Sequence, residues 1–374
     1  MSIAYFAHEL ADPAVQKRVK MLVAGGDEVA LLGFERKRFA NADPAAPKPH
    51  VLGQTHNGRL ASRVLSVLLA IPRAWRLRAV WRNADALLAR NLEMLVIVCV
   101  LASVLRLRAR VIYECLDIHR MLLKPGPAGK LIRAIERACL KRVSLVVTSS
   151  PAFDANYFRA MQHFKGETLV LENKVLALGG VAAQRGAPMA GPPWKIAWCG
   201  VLRCKQSFDI LQRLAETHPS LVEIELWGAP ALDQIPDFHE RVAATPAMRF
   251  RGVFRPEQLP AIYAEAHFVW AIDYYEAGGN SDWLLPNRLY EGLYFGAVPI
   301  AVAGVETARW LERSGVGVVL PAPLAPSLNA FLESLNSESY APLRQGAAQL
   351  DAACVAFTLD NCRALTARLV GAAP

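Results

Sequence analysis

The chain has 374 residues, of which 53% are hydrophobic and 20% are charged. This composition excludes an intrinsically disordered chain, and the length exceeds a single compact core, so we expect two domains. The seven cysteines form no CxxC pair, which predicts free thiols in a reducing compartment. The first residues lack a basic segment ahead of an apolar run, so no signal peptide is expected and a cytoplasmic protein is predicted.

The net charge of +9 is unevenly distributed. Residues 1–180 hold 27 Lys and Arg against 14 Asp and Glu, and no acidic residue lies between Asp43 and Asp85. In that interval apolar residues and two tryptophans alternate with Arg59, Arg63, Arg73, Arg76, Arg78 and Arg82. This pattern is typical of a helix on an anionic membrane surface, although a helix packed on its own domain explains it equally well. No zinc-finger or RNA-binding pattern occurs, so no nucleic-acid partner is expected.

Short apolar runs alternate with helical patterns along the first half of the chain. Strands are predicted at Ile3–Phe6, Val29–Gly33, Ala86–Ala89, Val111–Glu114, Leu145–Ser149 and Thr168–Leu171. Helices are predicted at Pro13–Ala24, Leu60–Trp81, Leu92–Leu105, Gly129–Lys141 and Pro151–Met161. The alternation predicts a parallel sheet covered on both faces, in a domain of residues 1–176. Residues 177–193 are rich in Gly, Ala and Pro and predict a linker.

A second alternating unit occupies residues 194–356. Its predicted strands are Lys195–Cys199, Val222–Trp227, Arg249–Arg251, Phe268–Ile272, Pro299–Val302 and Val316–Leu320. Its predicted helices are Ser207–Thr217, Glu257–Ala266, Asn287–Phe295, Glu306–Arg313 and Leu328–Leu335. We expect residues 357–374 to pack back on the first domain as a helix. Two Rossmann-like, doubly wound domains then face a central ligand cleft.

The second domain opens with WCGVLRCKQSFDIL, in which a buried strand ends at Gly200 and a helix begins near Ser207. Arg203 and Lys205 lie between them. Two cations beside a helix start form a diphosphate site, because their charge adds to that of the outward-pointing backbone N–H groups. A solvated basic turn is the alternative, and the position after the first strand of an α/β domain favours the diphosphate site.

The segment NSDWLLPNRLYEGLYFGAVPIA combines a polar loop, a short helix and a buried strand. Asn287 and Glu291 lie four residues apart at the helix start, with Arg288 beside them. A carboxylate near outward-pointing N–H groups is suited to bind a ribose diol. An ordinary amphipathic helix with a solvated Glu is the alternative interpretation.

The loop before this helix also carries candidate ligand contacts. Gly278 and Gly279 allow the backbone to approach a ligand, and Asn280 and Ser281 supply hydrogen-bonding side chains. We expect Asn280 and Ser281 to contact the donor. A flexible surface loop is the alternative.

In the first domain, the segment VIYECLDIHRML brings Glu114, Asp117 and His119 to the end of a strand. Ionisable groups at this point can supply a general base and contacts to sugar hydroxyls. Structural hydrogen bonding explains them equally well. Asp117 and His119 are the candidate catalytic residues.

Several motifs are absent from the sequence. There is no GxGxxG after the first strand and no GxxxxGK[ST], so nicotinamide, flavin and P-loop enzymes are disfavoured. Neither HExxH nor GxSxG nor a compact acidic metal cluster occurs. The remaining chemistry is a glycosyl transfer without metal or cofactor, in which protein cations stabilise the leaving diphosphate.

These motifs together resemble the GT-B glycosyltransferases, in particular the family 4-like enzymes of bacterial exopolysaccharide assembly, including the succinoglycan-type glucosyltransferases. The resemblance covers residues 195–320 well and the first domain loosely. It implies that Gly200, Arg203 and Lys205 bind the donor diphosphate and that Glu291 binds the donor ribose. The implied reaction moves a sugar from a nucleoside diphosphate donor, UDP-glucose or a relative, to a lipid-linked or other saccharide acceptor. The implied location is the cytoplasmic face of the inner membrane.

The sequence departs from the family at one position. Many members have a second Glu eight residues before the ribose-binding one, and here that residue is Trp283. Glu276, Asp282 or Asn280 could replace it in binding the donor sugar. Two other functions therefore stay open, which are a UDP-sugar epimerase on the same fold and a non-catalytic protein that binds a nucleotide sugar.

Overall fold

The computed structural model describes residues 1–35, 46–54, 60–179 and 191–371, without the side chains of 60–63. The chain forms two compact units. Unit 1 comprises Met1–Glu172, Leu176–Leu178 and Phe357–Pro374, and unit 2 comprises Asn173–Val175 and Gly179–Ala356. The arginines Arg59 and Arg63 of the basic segment and residues 180–190 of the predicted linker lie outside the described part.

Unit 1 is built on a seven-stranded sheet of order β3-β2-β1-β4-β5-β6-β7, in which every pair is parallel. The strands are β1 (Ser2–Ala7), β2 (Glu28–Glu35), β3 (His50–Gln54), β4 (Ala86–Arg90), β5 (Arg110–Cys115), β6 (Leu145–Thr148) and β7 (Glu167–Val170). The central strands β4 and β6 are buried along their whole length. Helices on both faces of the sheet account for that burial.

The helices of unit 1 connect these strands. They are α1 (Pro13–Ala24), α2 (Leu60–Arg76), α3 (Arg78–Trp81), α4 (Asn91–Val104), α5 (Arg120–Leu123), α6 (Pro127–Leu140) and α7 (Pro151–Phe153). Helix α1 begins as its sequence dictates, because the Asp12 carboxylate accepts a hydrogen bond from the Ala14 N–H at 2.8 Å and Pro13 occupies the first turn.

Unit 1 differs from the prediction at four places, one of which is the unpredicted short helix α5. The edge strand β3 was not predicted, since its sequence HVLGQ has only two large apolar residues. The single helix predicted at Leu60–Trp81 is divided at Leu77 into α2 and α3. The helix predicted at Pro151–Met161 is the short α7 followed by a π-helix at Asp154–Arg159.

Unit 2 follows the short strand β8 (Val175–Leu176) and contains a six-stranded parallel sheet of order β11-β10-β9-β12-β13-β14. Its strands are β9 (Trp194–Leu202), β10 (Val222–Pro230), β11 (Met248–Gly252), β12 (Phe268–Trp270), β13 (Val298–Val302) and β14 (Val318–Leu320). Three fully buried tryptophans, Trp194, Trp198 and Trp270, form the centre of its core.

The helices of unit 2 are α8 (Lys205–Thr217), α9 (Phe238–Ala243), α10 (Leu259–Ala264), α11 (Asn280–Trp283), α12 (Asn287–Phe295), α13 (Glu306–Ser314), α14 (Leu324–Ser334) and α15 (Ser337–Gln349). Helix α12 has the predicted bounds. It ends at Gly296 in the left-handed conformation (φ 99°), which lets the chain turn at once into β13. Helices α9, α11 and α15 were not predicted, because short or alanine-rich polar stretches carry little apolar periodicity.

The chain then returns to unit 1 through β15 (Ala356–Phe357), which pairs with β8, and α16 (Leu359–Val370). Cys362, Leu365 and Leu369 of α16 belong to the same buried core as Val15 and Val19 of α1. Helix α16 is therefore part of unit 1. No helix in the described ranges combines the length and apolarity required to span a bilayer.

Candidate functional site

The sheet of unit 2 has a topological switch point between β9 and β12. Strands β10 and β11 continue the sheet on one side of β9, and β12, β13 and β14 continue it on the other. The loops that follow β9 and β12 therefore leave the same edge of the sheet side by side. In open α/β sheets ligands bind at this position.

Two glycines shape the backbone at the end of β9. Gly200 (φ 128°) lies opposite Gly228 (φ 132°) of β10. A Cβ atom on Gly228 would lie 1.7 Å from the Gly200 carbonyl oxygen, so only glycine permits this approach. A Cβ atom on Gly200 would have no described atom within 4 Å. The main chain at Gly200 therefore borders open space, as a ligand that contacts the backbone requires.

Arg203 lies in the loop between β9 and α8. Its guanidinium carbon lies 4.4 Å from the centre of the Tyr275 ring, in the loop that follows β12. A cation over an aromatic face is held by the ring quadrupole, so Tyr275 restricts the guanidinium to the neighbourhood of both loops. Tyr275 was not among the residues predicted for the site.

Lys205 is the first residue of α8, so this helix begins two residues earlier than predicted. The Lys205 ammonium lies 2.7 Å from an Asp209 carboxylate oxygen, and the other Asp209 oxygen lies 2.7 Å from the Arg241 guanidinium. The Lys205 side chain is 60% exposed. Its charge is therefore shared with Asp209 and solvent, and Arg203 is the stronger candidate for binding an anion.

The Cys204 sulfur joins the two loops. It accepts hydrogen bonds from the Ser207 N–H in the first turn of α8, at 3.4 Å, and from the Tyr274 N–H after β12, at 3.3 Å. Cys204 thus caps the helix start and fixes its position relative to the second loop. The sequence predicts only a free thiol at this position.

Asn280 and Ser281 are buried at the start of α11, not exposed in a flexible loop. The Ser281 hydroxyl accepts a hydrogen bond from the Glu276 N–H at 2.8 Å, and the Asp282 carboxylate accepts one from the Gly278 N–H at 3.1 Å. The segment closes on itself through these bonds, which explains why it forms a short helix. Ser281 therefore has a structural partner within the segment, and Trp283 ends the helix half-buried.

Helix α12 brings three predicted residues to the same edge of the sheet. Asn287, its first residue, is exposed, and Arg288 donates from Nη2 to the Ile272 carbonyl oxygen at 2.8 Å, just after β12. Arg288 Nε is buried without a hydrogen-bond partner among the described residues. Glu291, one turn later, accepts a hydrogen bond from the Tyr263 hydroxyl at 3.2 Å. One carboxylate and one guanidinium thus lie beside the end of β12.

The buried residues next to Glu291 are Cys199 and Tyr263. Burial and, to a smaller extent, the nearby Glu291 raise the pKa of the Cys199 thiol to about 12, so the sulfur stays protonated. Burial likewise raises the pKa of Tyr263, which contacts both Cys199 and Glu291. Cys199 and Tyr263 are therefore neutral groups next to Glu291, and they do not cancel its negative charge.

The groups at this edge of the unit 2 sheet determine which kind of ligand can bind there. Open backbone at Gly200, the start of the 13-residue helix α8 and the Arg203 guanidinium form an anion site, and Glu291 supplies a hydrogen-bond acceptor one loop away. All of these groups lie in unit 2. The described residues contain no group of three or more His, Cys, Asp or Glu side chains arranged to hold a metal ion.

In unit 1 the structure separates Glu114 from the other two candidates. Glu114 is fully buried, and its carboxylate lies 2.5 Å from Arg18 Nε, 3.1 Å from Arg90 Nη1 and 2.7 Å from the Tyr5 hydroxyl. Burial alone would raise its pKa, but the two guanidinium groups outweigh burial and lower the pKa to about 2. Of the two interpretations of Glu114, structural hydrogen bonding agrees with the structure, because the carboxylate is buried and contacts three structural partners.

Asp117 and His119 are exposed after β5. The His119 Nδ1 accepts a hydrogen bond from the Met121 N–H at 3.2 Å and caps α5. Both residues line a cavity of about 330 Å³ in unit 1. The cavity is otherwise lined mostly by aliphatic side chains of α2, α4, α5 and α6. Periodicity alone had not indicated this cavity, because it is formed by four helices that are separate in the chain.

No protein-family profile matches the chain. It is 40% identical over 375 residues to the succinoglycan biosynthesis protein ExoL of Rhizobium meliloti strain 1021, an alignment that covers 99% of this chain and 93% of ExoL. The chain belongs to the family of ExoL. Membership confirms the predicted relationship to the proteins of bacterial exopolysaccharide assembly.

Solved structures establish the fold of this ExoL relative. Anabaena HepE in complex with UDP-glucose superimposes with a TM-score of 0.71 at 14% identity, over 99% of both chains. WaaG, a glycosyltransferase involved in lipopolysaccharide biosynthesis, superimposes with a TM-score of 0.61 at 13% identity, over 97% of this chain and 95% of WaaG. The predicted GT-B fold with two Rossmann-like domains is confirmed.

Proposed function

We propose that unit 2 binds a UDP-sugar, with UDP-glucose as the first candidate, and that the enzyme transfers its sugar to a saccharide acceptor. The observation that carries the proposal is the convergence of Arg203, the start of α8 and Glu291 at the switch point of one sheet. The complex of HepE with UDP-glucose, a protein of the same fold, supports this choice of donor.

The reaction breaks the bond between the anomeric carbon and the diphosphate oxygen and forms a bond from that carbon to an acceptor hydroxyl oxygen. Negative charge grows on the departing diphosphate. The Arg203 guanidinium and the N–H groups at the start of α8 stabilise this charge, which lowers the barrier. Lys205 adds a weaker contribution, because Asp209 already pairs with it.

The acceptor hydroxyl must lose a proton as it attacks. Asp117 or His119 in unit 1 accepts this proton in our proposal, since both are exposed beside a cavity and carry groups that can act as bases. The donor sugar itself is bound by Asn280 and the neighbouring backbone. Asn287 and Arg288 complete the donor site at the start of α12, where Asn287 is exposed.

Replacing Glu291 by glutamine should raise the KM for the UDP-sugar about 10- to 100-fold, with a smaller change in kcat. A hydrogen bond to a charged acceptor contributes about 1.5–3 kcal/mol, and glutamine keeps the shape and the Tyr263 contact but loses the charge. Steady-state kinetics with varied donor measure the effect. The exposed Glu257→Gln is the matched control. An unchanged KM in Glu291→Gln would show that Glu291 does not bind the donor ribose.

The acceptor is a lipid-linked saccharide in this proposal, and the enzyme works at the cytoplasmic face of the inner membrane. Helix α2 supports this location, since it exposes a band of apolar side chains: Val64, Leu65, Leu68 and Leu69. Exposed arginines follow at Arg73, Arg76, Arg78 and Arg82. Trp75 is partly exposed, whereas Trp81 is buried and packs edge-on against Phe6, so only the first tryptophan is available to a membrane.

The protein should co-float with phosphatidylglycerol vesicles at low salt and be released at high salt, because salt screens the attraction of arginines to anionic lipid. The double variant Leu65→Asp/Leu69→Asp should stay at the bottom of the gradient. Val104→Asp, at an equally exposed apolar position of α4, should float like the wild type. Wild-type protein that never floats at low salt would contradict the peripheral-membrane proposal.

The reaction is tested by incubating the enzyme with radiolabelled UDP- and GDP-sugars and a membrane extract. We expect label from one UDP-sugar to enter the lipid fraction. Conversion of the UDP-sugar to an epimer without transfer would indicate the epimerase instead. Binding of the UDP-sugar without any product would indicate a non-catalytic protein.

A further inference from the structure

The cavity of unit 1 is apolar along its walls and polar at one end. Its walls carry Val64, Val67 and Leu68 of α2, Leu92 and Val96 of α4, Met121 and Leu122 of α5, and Ile132 and Ile135 of α6. Its polar lining residues are Asn91, Glu93, Asp117 and His119, which follow β4 and β5 at the carboxyl edge of the sheet. A ligand that fits both ends has a hydrocarbon part and a polar part.

The cavity volume of about 330 Å³ lies at the lower end of the range of roughly 300–1,000 Å³ for ligand sites. Val64, Leu68 and Ile135 line it although they are 53%, 58% and 42% exposed. The apolar walls therefore continue to the surface of unit 1. Outside the cavity the apolar surface extends over Leu65 and Leu69 of α2. A long hydrocarbon chain can thus place one segment in the cavity and the rest along the apolar surface.

The lining holds two acidic residues, Glu93 and Asp117, so an anionic head group has to lie outside it, beside the neighbouring cations. Arg120 and Lys124 are exposed and flank the lining residues Met121 and Leu122 in the chain. Lys130 is exposed one turn into α6. A phosphate joined to a hydrocarbon chain matches cations beside apolar walls.

The backbone at the polar end is unusual. Asn91 has φ 67°, a left-handed conformation that is uncommon for a residue other than glycine. It occurs at the junction of β4 and α4, where the Asn91 side chain lines the cavity. Such strain is often retained where a side chain must point at a ligand.

We propose that this cavity binds the first segment of the hydrocarbon chain of a lipid-linked saccharide acceptor, with the phosphate near Arg120 and the saccharide near Asp117 and His119. The inference rests on the proposed glycosyl transfer for the identity of the acceptor. The lipid part of the substrate then positions the acceptor in unit 1 and contributes binding energy remote from the reacting hydroxyl.

Two pairs of variants test the site on the full-length protein. Val96→Trp fills the cavity, and Val100→Trp, one turn later on α4 and outside the lining, is its control. Ile135→Asp puts a charge in the apolar wall, and Leu131→Asp, one turn earlier on α6 at 63% exposure, is its control. The second pair changes exposed positions, so it still tests the site if Val96→Trp does not fold.

The measurement is calorimetric titration with farnesyl phosphate and with dodecyl phosphate, below their critical micelle concentrations, and with UDP in parallel. We expect the wild type to bind a chain phosphate, and Val96→Trp and Ile135→Asp to weaken this binding at least tenfold. Val100→Trp and Leu131→Asp should bind as the wild type does. Tighter binding of farnesyl than of dodecyl phosphate would identify an isoprenoid chain, and the reverse an acyl-like chain.

Equal chain-phosphate affinity in all five proteins, or no binding by the wild type, would overturn the cavity proposal. UDP affinity should be unchanged in every variant, since the donor groups lie in unit 2. If the wild type binds a chain phosphate but does not bind UDP, the proposed function is refuted and the cavity site is still supported.

Discussion

Replacing Arg203 by alanine should lower kcat for sugar transfer by a factor of about 10² to 10³. Removing one preorganised donor that faces developing negative charge costs roughly this much in enzymes of acyl transfer, and the departing diphosphate carries a larger charge. The Tyr275 ring holds the Arg203 guanidinium, so the arginine does not need to reorganise during the reaction. The loss should appear mainly in kcat, because the charge on the leaving oxygen is greatest in the transition state.

Three variants make the result specific to Arg203. Arg203→Lys keeps the charge but not the planar fork, so it should retain more activity than alanine and less than the wild type. Lys205→Ala should lose less than Arg203→Ala, because Asp209 and solvent already share the lysine charge. The exposed Arg213→Ala on α8 should behave as the wild type. Folded Arg203→Ala enzyme with wild-type kcat would mean that Arg203 does not bind the diphosphate.

Replacing Glu114 by glutamine should lower the free energy of unfolding by about 3–5 kcal/mol. The substitution keeps the shape of the side chain but leaves the buried Arg18 with a neutral partner and the buried Arg90 with only the more distant Asp12 carboxylate, at 3.9 Å. Breaking a buried ion pair on one side costs this much, since an uncompensated charge stays in the interior. Urea unfolding monitored by tryptophan fluorescence measures the change, and the exposed Glu28→Gln should change it by less than about 0.5 kcal/mol.

The same network predicts a pH dependence. The folded pKa of Glu114 is about 2, below the usual value near 4.3 for an unfolded chain. The carboxylate therefore contributes its full stabilisation above about pH 4.5, and the contribution is lost as the pH falls towards 2. The difference in unfolding free energy between wild type and Glu114→Gln should shrink across this window. A difference that stays constant from pH 6 to pH 3 would show that Glu114 is not ionised in the folded protein.

Much of the fold follows from periodicity. The long buried strands of both units and helix α12 were predicted within a few residues, because each has an unbroken apolar pattern between turn residues. The strand β3 and the helices α9, α11 and α15 were missed, since tertiary contacts and not local apolar pattern stabilise them. Segment 151–161 is predicted as one helix, because a 3.6-residue apolar period does not distinguish its π-helical part from an α-helix.

The donor site was partly predictable in the same sense. Gly200, Arg203 and Glu291 are predicted from their positions after strands and at a helix start, and they stay predictions. Tyr275 and Cys204 are not predicted, because their roles depend on the adjacency of two loops that are seventy residues apart in the chain. Ser281 is predicted to contact the donor, and its hydroxyl also accepts a hydrogen bond from the Glu276 N–H in the same loop. Only the order of strands in the sheet reveals such relationships.

The structure of the protein with bound UDP tests the central claim most directly. We predict that the diphosphate lies beside the Gly200 backbone and the start of α8, with Arg203 Nη atoms about 3 Å from phosphate oxygens, and that the ribose hydroxyls donate to Glu291. UDP bound elsewhere in the protein, or a diphosphate that makes no contact with Arg203 while Glu291 stays on Tyr263 alone, would contradict the account.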